Sequence, residues 1–308
     1  MRALVTGGAG FIGSHIVEEL LRSGASVRVL DNFSSGKREN LETFQGDLEI
    51  LAGDLRDAEA IKAAMRDVEL VFHLAAFISV PQSMLEPENC FAINVAGTVT
   101  LLEAAHQAGV RKVVVSSSAA VYGNTDKFPI DEQTPIMPLS PYALSKHVNE
   151  LYARLYTQTF NLPVTALRYF NVYGPRQNPN SAYSAAISIF TQRLVNGEPI
   201  TIYGDGKQSR DFIFVKDVVR ANLQAAESDA AGQAFNICTG QETTLLDLLE
   251  ELSELSPRQP EVRFEAPRLG DIYRSKGNPE KAAAALDFRA ETSLANGLAQ
   301  TVAWMKNK

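Results

Sequence analysis

The sequence predicts an α/β protein, a doubly wound parallel sheet carrying a smaller α/β lobe, on three observations. Short β-branched runs alternate with longer helical patterns through the first half. The first run passes directly into a glycine-rich turn and then a helix. Beyond Phe170 the alternation loosens into turn formers before it resumes. With 308 residues, 45% hydrophobic and 21% charged, the chain can bury a sizeable core as one large domain or two small ones.

Taken in order, strands are expected at 3–6, 27–31, 49–53, 70–74, 112–116 and 164–168, six strands in doubly wound order. Helices are expected at 14–23 and 95–108, closed by Gly24 and Gly109, since glycine accepts the left-handed conformation that ends a helix. The segment Asn171-Val172-Tyr173-Gly174-Pro175-Arg176-Gln177-Asn178-Pro179-Asn180 reads as a loop, where substrate contacts tend to collect. Segments 212–215, 216–226 and 234–238 return to the first layer. The rest, including 244–252 and 279–286, belongs to the second lobe. The expected division is 1–171 with 212–240, and 172–211 with 241–308.

The net charge of −7 and pI near 5.3 argue against general attraction to nucleic acid or anionic lipid, so any phosphate recognition must be local. Two cysteines, Cys90 and Cys238, sit in apolar segments, which points to buried thiols and a reduced, cytoplasmic setting. No apolar run approaches the roughly 18 residues of a membrane span, and no metal ion is expected.

Strand 3–6 runs into Gly7-Gly8-Ala9-Gly10-Phe11-Ile12-Gly13 and then an amphipathic helix. Missing side chains let the backbone turn tightly and approach a pyrophosphate, whose charge then lies on free helix N–H groups. Asp31 ends the next strand 18 residues after Gly13, where an acid hydrogen-bonds ribose hydroxyls and repels a 2′-phosphate. The pattern is that of a Rossmann dinucleotide site and favours NAD over NADP. Asp54 stands either near the adenine or simply as a turn former or helix cap.

Ser140-Pro141-Tyr142-Ala143-Leu144-Ser145-Lys146 reads as a helix start, with Ser140 as cap and Pro141 in the first turn. Tyr142 and Lys146 then share one face. A nearby ammonium and a helix N-terminus would both favour the phenolate, making Tyr142 a general acid/base. Upstream, Ser116-Ser117-Ser118 closes a parallel strand at the carboxyl edge, where open α/β sheets bind ligands.

With these motifs stand His73-Leu74-Ala75-Ala76, Ala119-Ala120-Val121-Tyr122-Gly123, Arg168-Tyr169-Phe170-Asn171-Val172-Tyr173-Gly174-Pro175, Ser209-Arg210-Asp211-Phe212 and Arg268-Leu269-Gly270-Asp271. Together they resemble, over essentially the whole chain, the extended short-chain dehydrogenases/reductases, specifically the UDP-sugar 4-epimerases. The resemblance implies Ser118 as catalytic hydroxyl, Tyr142 as base and Lys146 on the nicotinamide ribose. It implies an NAD site formed by Gly7, Gly10, Phe11, Ile12, Gly13, Asp31, Asn32, Asp54, Leu55, Leu74, Ala75, Ala76, Asn94, Ser116, Tyr142, Lys146 and Phe170. It places Ser118, Asn171, Ala185, Tyr203, Arg210, Arg268, Asp271 and Ser275 around the UDP-sugar, and it implies a homodimer through the Tyr142 helix and the long helix before it. In the implied reaction Tyr142 takes the proton of the sugar 4-hydroxyl while C4 passes hydride to NAD. The 4-keto sugar then turns and receives the hydride on its other face.

Similar 4,6-dehydratases need an Asp-Glu pair just after the catalytic hydroxyl residue; Ala119-Ala120 cannot donate that proton. The loop from Gly174 to Tyr183 looks like that of epimerases acting on N-acetylated hexosamines. Ser275 aligns with a position that is bulky in strict glucose epimerases and small where an acetamido group is accepted. The expected pair is therefore UDP-GlcNAc/UDP-GalNAc, with UDP-glucose/UDP-galactose admissible, because a steric gate discriminates modestly. Two rivals are a UDP-glucuronate 4-epimerase, for which Arg176 would be the cationic partner, and a dinucleotide-binding protein without turnover.

Overall fold

The computed structural model describes residues 1–179, 186–256, 259–267 and 272–307. Among these, the main sheet has seven parallel strands: β1 (Arg2–Thr6), β2 (Ser26–Asp31), β3 (Leu48–Ala52), β4 (Leu70–His73), β5 (Lys112–Ser118), β6 (Val164–Tyr169) and β7 (Gln233–Ile237). Their order is β7-β6-β5-β4-β1-β2-β3, so the winding reverses between β1 and β4. A crevice opens at such a switch point, beyond the carboxyl ends of the strands.

The two-residue period of a strand dictates how the layers form. In β1, Ala3 and Val5 enter one apolar cluster and Leu4 the other; in β5, Val114 parts from Val113 and Val115 in the same way. On the first face α1 (Phe11–Arg22) contributes Ile16, Val17 and Leu20. On the second, α2 (Ala58–Ala64) contributes Ile61, α3 (Gly97–Gln107) Leu101 and Leu102, and α4 (Pro141–Phe160) Ala153 and Tyr156. A second helix on the first face, α5 (Val215–Glu227), adds Val218 and Val219 beside α1. Each aliphatic side chain buried in this way contributes about 1.5–3 kcal/mol.

The second lobe has its own core. Helices Ala186–Asn196, Leu245–Glu254 and Leu294–Lys306 pack through Phe190, Leu248 and Leu298 beside strand Ile200–Tyr203, which pairs in parallel with Val262–Glu265. Thr244 and Asp247 form a reciprocal capping box at the start of the second of these helices. Strand Asn171–Tyr173 leaves the sheet to pair with Phe212–Phe214.

The structure departs from the sequence reading in two instructive places. The 279–286 segment, expected in the second lobe, has its helix Glu280–Leu286 on the main sheet, where Ala282, Leu286 and Phe288 join Ile16, Val219 and Phe235. Its apolar face covers the first layer beside edge strand β7, and Lys281 Nζ donates to Ala234 O at 2.9 Å. The second departure is β5, which runs two residues beyond its expected end, to Ser118. Register with β6 continues through Ser118 and Tyr169, so all three serines are held by strand pairing.

Candidate active site

The crevice at the switch point encloses about 1150 Å³, its mouth included. Its walls are the glycine loop, the ends of β2 and β3, the turn after β4, Ser116 and Ser117 of β5, and Tyr142 and Lys146 of α4. Of the seventeen residues expected to hold a dinucleotide, all but Asn94 and Phe170 line it. Asn94 lies one layer back. Its amide oxygen accepts from Phe77 N (2.6 Å), and its nitrogen donates to Phe77 O (3.0 Å) and Ser145 Oγ (2.9 Å), so it braces the wall that Phe77 forms. Phe170 packs instead with Val121, Tyr122, Ile130 and Cys238.

Gly7 adopts φ +70°, a conformation natural to glycine, and α1 begins immediately after Gly10 without a side-chain cap. The first N–H groups of α1 therefore face the crevice end with no intrahelical acceptor. A Cβ at Gly13 would lie 2.1 Å from Gly7 O, whereas one at Gly10 would meet only that oxygen, at 3.1 Å, and otherwise occupy the crevice. Asp31 is nearly buried; its Oδ2 accepts from Ala9 N (2.9 Å) and its Oδ1 from Phe33 N (2.8 Å). One carboxylate thus ties the second strand to the glycine loop. Asp54 both forms a turn, accepting from Arg56 N (2.9 Å), and lines the crevice. Hydrogen bonds from the Arg56 guanidinium hold its carboxyl well below the usual range. A loop open only where glycine lacks a side chain, a bare helix start and an acid at the end of β2 fit NAD.

Ser140 caps α4 by accepting from Ala143 N (3.1 Å), and Pro141 occupies the first turn, as the residue types dictate. Tyr142 and Lys146 come together as the spacing requires, with Lys146 Nζ 5.9 Å from the ring centroid. That ammonium donates to Ser116 O (2.9 Å) and Ser116 Oγ (3.1 Å). Burial lowers Lys146 to about 8, against the opposing influence of Cys90 and Glu150. Ser118 Oγ accepts from Ala120 N (3.2 Å) and shares a hydrogen bond with the Tyr142 hydroxyl. The expected depression of the Tyr142 pKa is corrected here: burial raises it, the Ser118 bond works against burial, and Cys90 adds to the rise. Desolvation penalises a phenolate more than a cation several ångströms away repays. In the protein by itself Tyr142 therefore carries its proton at neutral pH, beside the Lys146 ammonium.

Behind this pair, His73 is neutral, pushed down to about 3 by burial and by Lys146. Its Nε2 lies 2.8 Å from Thr98 Oγ1, whose own proton goes to Asn94 O, and its Nδ1 lies 2.7 Å from Thr6 Oγ1. The proton therefore sits on Nε2, and Thr6 donates to Nδ1. In the sequence His73 stands in a motif without an evident role; in the fold it links the ends of β1 and β4 to α3.

In the second lobe, Asn171 Nδ2 donates to Asp211 O (3.1 Å), and Arg210 Nη1 donates to Ser209 O (2.8 Å). Ser275 is nearly buried and bonds through its N–H to Ser209 O (3.1 Å), which sets it beside Arg210. Tyr203 closes strand Ile200–Tyr203 and lines a smaller hollow with Gln208 and Phe190. Ala185, Arg268 and Asp271 lie outside the described residues. Asp211, fully buried, accepts from Thr239 N (2.8 Å), Thr239 Oγ1 (2.7 Å), Gly240 N (2.9 Å) and Gly277 N (3.2 Å). It ties the second-lobe strands to the end of β7, a role its position in Ser209-Arg210-Asp211-Phe212 did not disclose. Arg176, the cation a glucuronate reading would need, is instead paired with Glu18 of α1 and stacked 5.2 Å from the Phe44 ring.

Comparison with known proteins agrees with this geometry. The chain is 41% identical to the UDP-glucose 4-epimerase of Mycolicibacterium smegmatis over 313 residues, spanning 100% of this chain and 99% of that one. Among solved structures, the Thermotoga maritima UDP-glucose 4-epimerase with UDP-glucose superposes with TM-score 0.94 at 40% identity, covering 100% and 99% of the two chains. The Methanobrevibacter ruminantium UDP-N-acetylglucosamine 4-epimerase in complex with UDP-N-acetylmuramic acid does so with TM-score 0.94 at 40% identity, covering 98% and 97%. Residues 3–238 match the model of the NAD dependent epimerase/dehydratase family, and the chain belongs to that family.

Proposed function

We propose that this protein is an NAD-dependent UDP-sugar 4-epimerase whose preferred pair is UDP-GlcNAc/UDP-GalNAc, with UDP-glucose/UDP-galactose also turned over. The observation that carries the reaction type is the Ser118–Tyr142–Lys146 cluster against the dinucleotide crevice. NAD, when bound, supplies a cationic ring that takes a hydride from C4 of the sugar and gives it back. As the phenolate, which a bound cationic ring and the Lys146 ammonium would favour over the resting phenol, Tyr142 would accept the proton of the 4-hydroxyl and return it. Ser118 would share that hydrogen bond, and Lys146 would hold positive charge beside the tyrosine ring. Asn171, Arg210, Arg268 and Asp271 hold the UDP portion, guanidinium groups being suited to bidentate phosphate binding. Ala119 and Ala120, in the turn after Ser118, have no proton to offer for dehydration.

The acetamido preference rests on Ser275, a small side chain set beside Arg210. The engagement of Arg176 by Glu18 weighs against a carboxylated sugar. Incubation with UDP-GlcNAc and no added NAD is expected to yield UDP-GalNAc by chromatography, with UDP-glucose slower and UDP-glucuronate unchanged. Turnover of UDP-glucuronate above the other two would replace the hexosamine reading. Ser275→Tyr is expected to lower kcat/KM for UDP-GlcNAc by about tenfold or more while sparing UDP-glucose; equal loss of both would remove the gate.

A second copy is proposed on α4. Leu144, Leu151 and Leu155 are about half exposed, not core, and with Phe91 and Leu139 they form an apolar face. Sedimentation should show a dimer that Leu151→Glu dissociates; a wild-type monomer would end this proposal.

A further inference from the structure

Helix α4 carries a third polar group on the face of Tyr142 and Lys146, one turn further on at Glu150. Glu150 is nearly buried, and its two oxygens are fully used. Oε1 accepts from Ser117 Oγ (2.5 Å) and Arg168 Nε (2.8 Å), while Oε2 accepts from Arg168 Nη2 (2.7 Å) and faces His147 Nδ1 (3.4 Å). Arg168 Nη1 donates to the Tyr122 hydroxyl (2.7 Å), which donates to Asn236 Oδ1 on β7 (2.6 Å). A single carboxylate therefore joins α4 to β5, β6 and β7 and to the turn after Ser118. It grips β5 at Ser117, between the residue that binds Lys146 and the residue that meets Tyr142. Apolar residues of similar volume often match or exceed the stability of a buried ion pair, so stability alone does not account for Glu150.

We propose that Glu150 is a positioning residue for the proton-transferring pair: by anchoring Ser117 to α4 it sets the distance between the Ser118 and Tyr142 hydroxyls. This rests on the epimerase reading above. The carboxylate also acts on Lys146, which is faced by Tyr142 and Glu150 from its own helix, Cys90 from helix Pro87–Phe91, neutral His73 from β4 and Ser116 from β5. Burial would raise Glu150, but Arg168, then His147 and Ser117, hold it ionised. Loss of its charge removes a force that keeps Lys146 protonated.

The test compares Glu150→Gln, Glu150→Gln/Arg168→Met and Ser117→Ala, each assayed on the UDP-sugar the wild type prefers. In the first two variants kcat is expected to fall by about tenfold to a hundredfold, with KM within about threefold. The alkaline limb of the kcat profile should move to lower pH. The double variant, which leaves no orphaned arginine, should regain thermal stability but not kcat; recovery of both would make Glu150 merely structural and overturn the proposal. Ser117→Ala, which cuts only the tether, keeps the question open to test if Glu150→Gln does not fold, and unchanged kcat in it would also overturn the proposal. Crystal structures of the variants read the geometry independently of turnover. A Ser118–Tyr142 contact unchanged in them refutes positioning, whereas a wild type without turnover refutes the epimerase reading alone.

Discussion

Tyr142→Phe lowers kcat by about 10²–10⁴-fold, the usual contribution of a placed acid/base, while KM for the UDP-sugar stays within about threefold. The phenyl ring keeps the shape of the wall, so binding of the remote UDP group is untouched, and only the proton's destination is lost. Tyr142 works in a buried setting that favours the phenol, with the Ser118 hydroxyl in contact and the Lys146 ammonium nearby. No other described group that lines the crevice next to Ser118 combines a transferable proton with that contact. The check is steady-state turnover together with the NAD content of the purified variant, which should match the wild type. A variant that turns over at the wild-type rate with NAD bound would remove Tyr142 from the proton transfer, whereas a wild type that holds NAD without turnover would return the chain to the class of non-catalytic dinucleotide-binding proteins.

Gly13→Ala is expected to abolish NAD retention and to cost about 3 kcal/mol or more of stability, the range of core overpacking against backbone. Its Cβ would sit 2.1 Å from Gly7 O and 2.9 Å from both Gly7 C and Gly8 Cα, and no rotamer relieves a clash with main chain. The loop must then lift from α1, carrying the helix N–H groups off the pyrophosphate position. Gly109→Ala is the control: φ is +68° there but nothing lies within 4 Å of an added Cβ. That substitution should cost only the left-handed penalty of about 1–2 kcal/mol and keep NAD. Thermal denaturation and NAD content after gel filtration decide both. Retention of NAD by Gly13→Ala would mean that the glycine spacing is not what shapes the crevice.

Much of the site was legible because its parts are local. The glycine loop joins consecutive elements, β1 and α1, so its spacing states its geometry. Tyr142 and Lys146 lie one turn apart on a helix whose cap and proline announce its start. The strands alternate between two cores, and the β-branched runs record that alternation. What stayed hidden belongs to pairs far apart in the chain. Asn94 is expected at the cofactor from the family resemblance, yet Phe77 and Ser145 consume its amide. Arg176 reads as a spare cation in a loop, yet Glu18, 158 residues away, neutralises it. The 279–286 segment reads as second lobe by its place in the sequence, yet its alanine-rich face fits the sheet beside β7.

The sequence by itself determined the fold class, the dinucleotide loop and the Tyr142–Lys146 pair, because propensity, glycine geometry and helical periodicity act over a few residues. Only the tertiary structure decided that burial leaves Tyr142 holding its proton and that Ser117, Glu150 and Arg168 meet under the site. Desolvation depends on every layer packed around a group, and a hydrogen bond across 33 residues depends on strand register. Neither is written in local spacing.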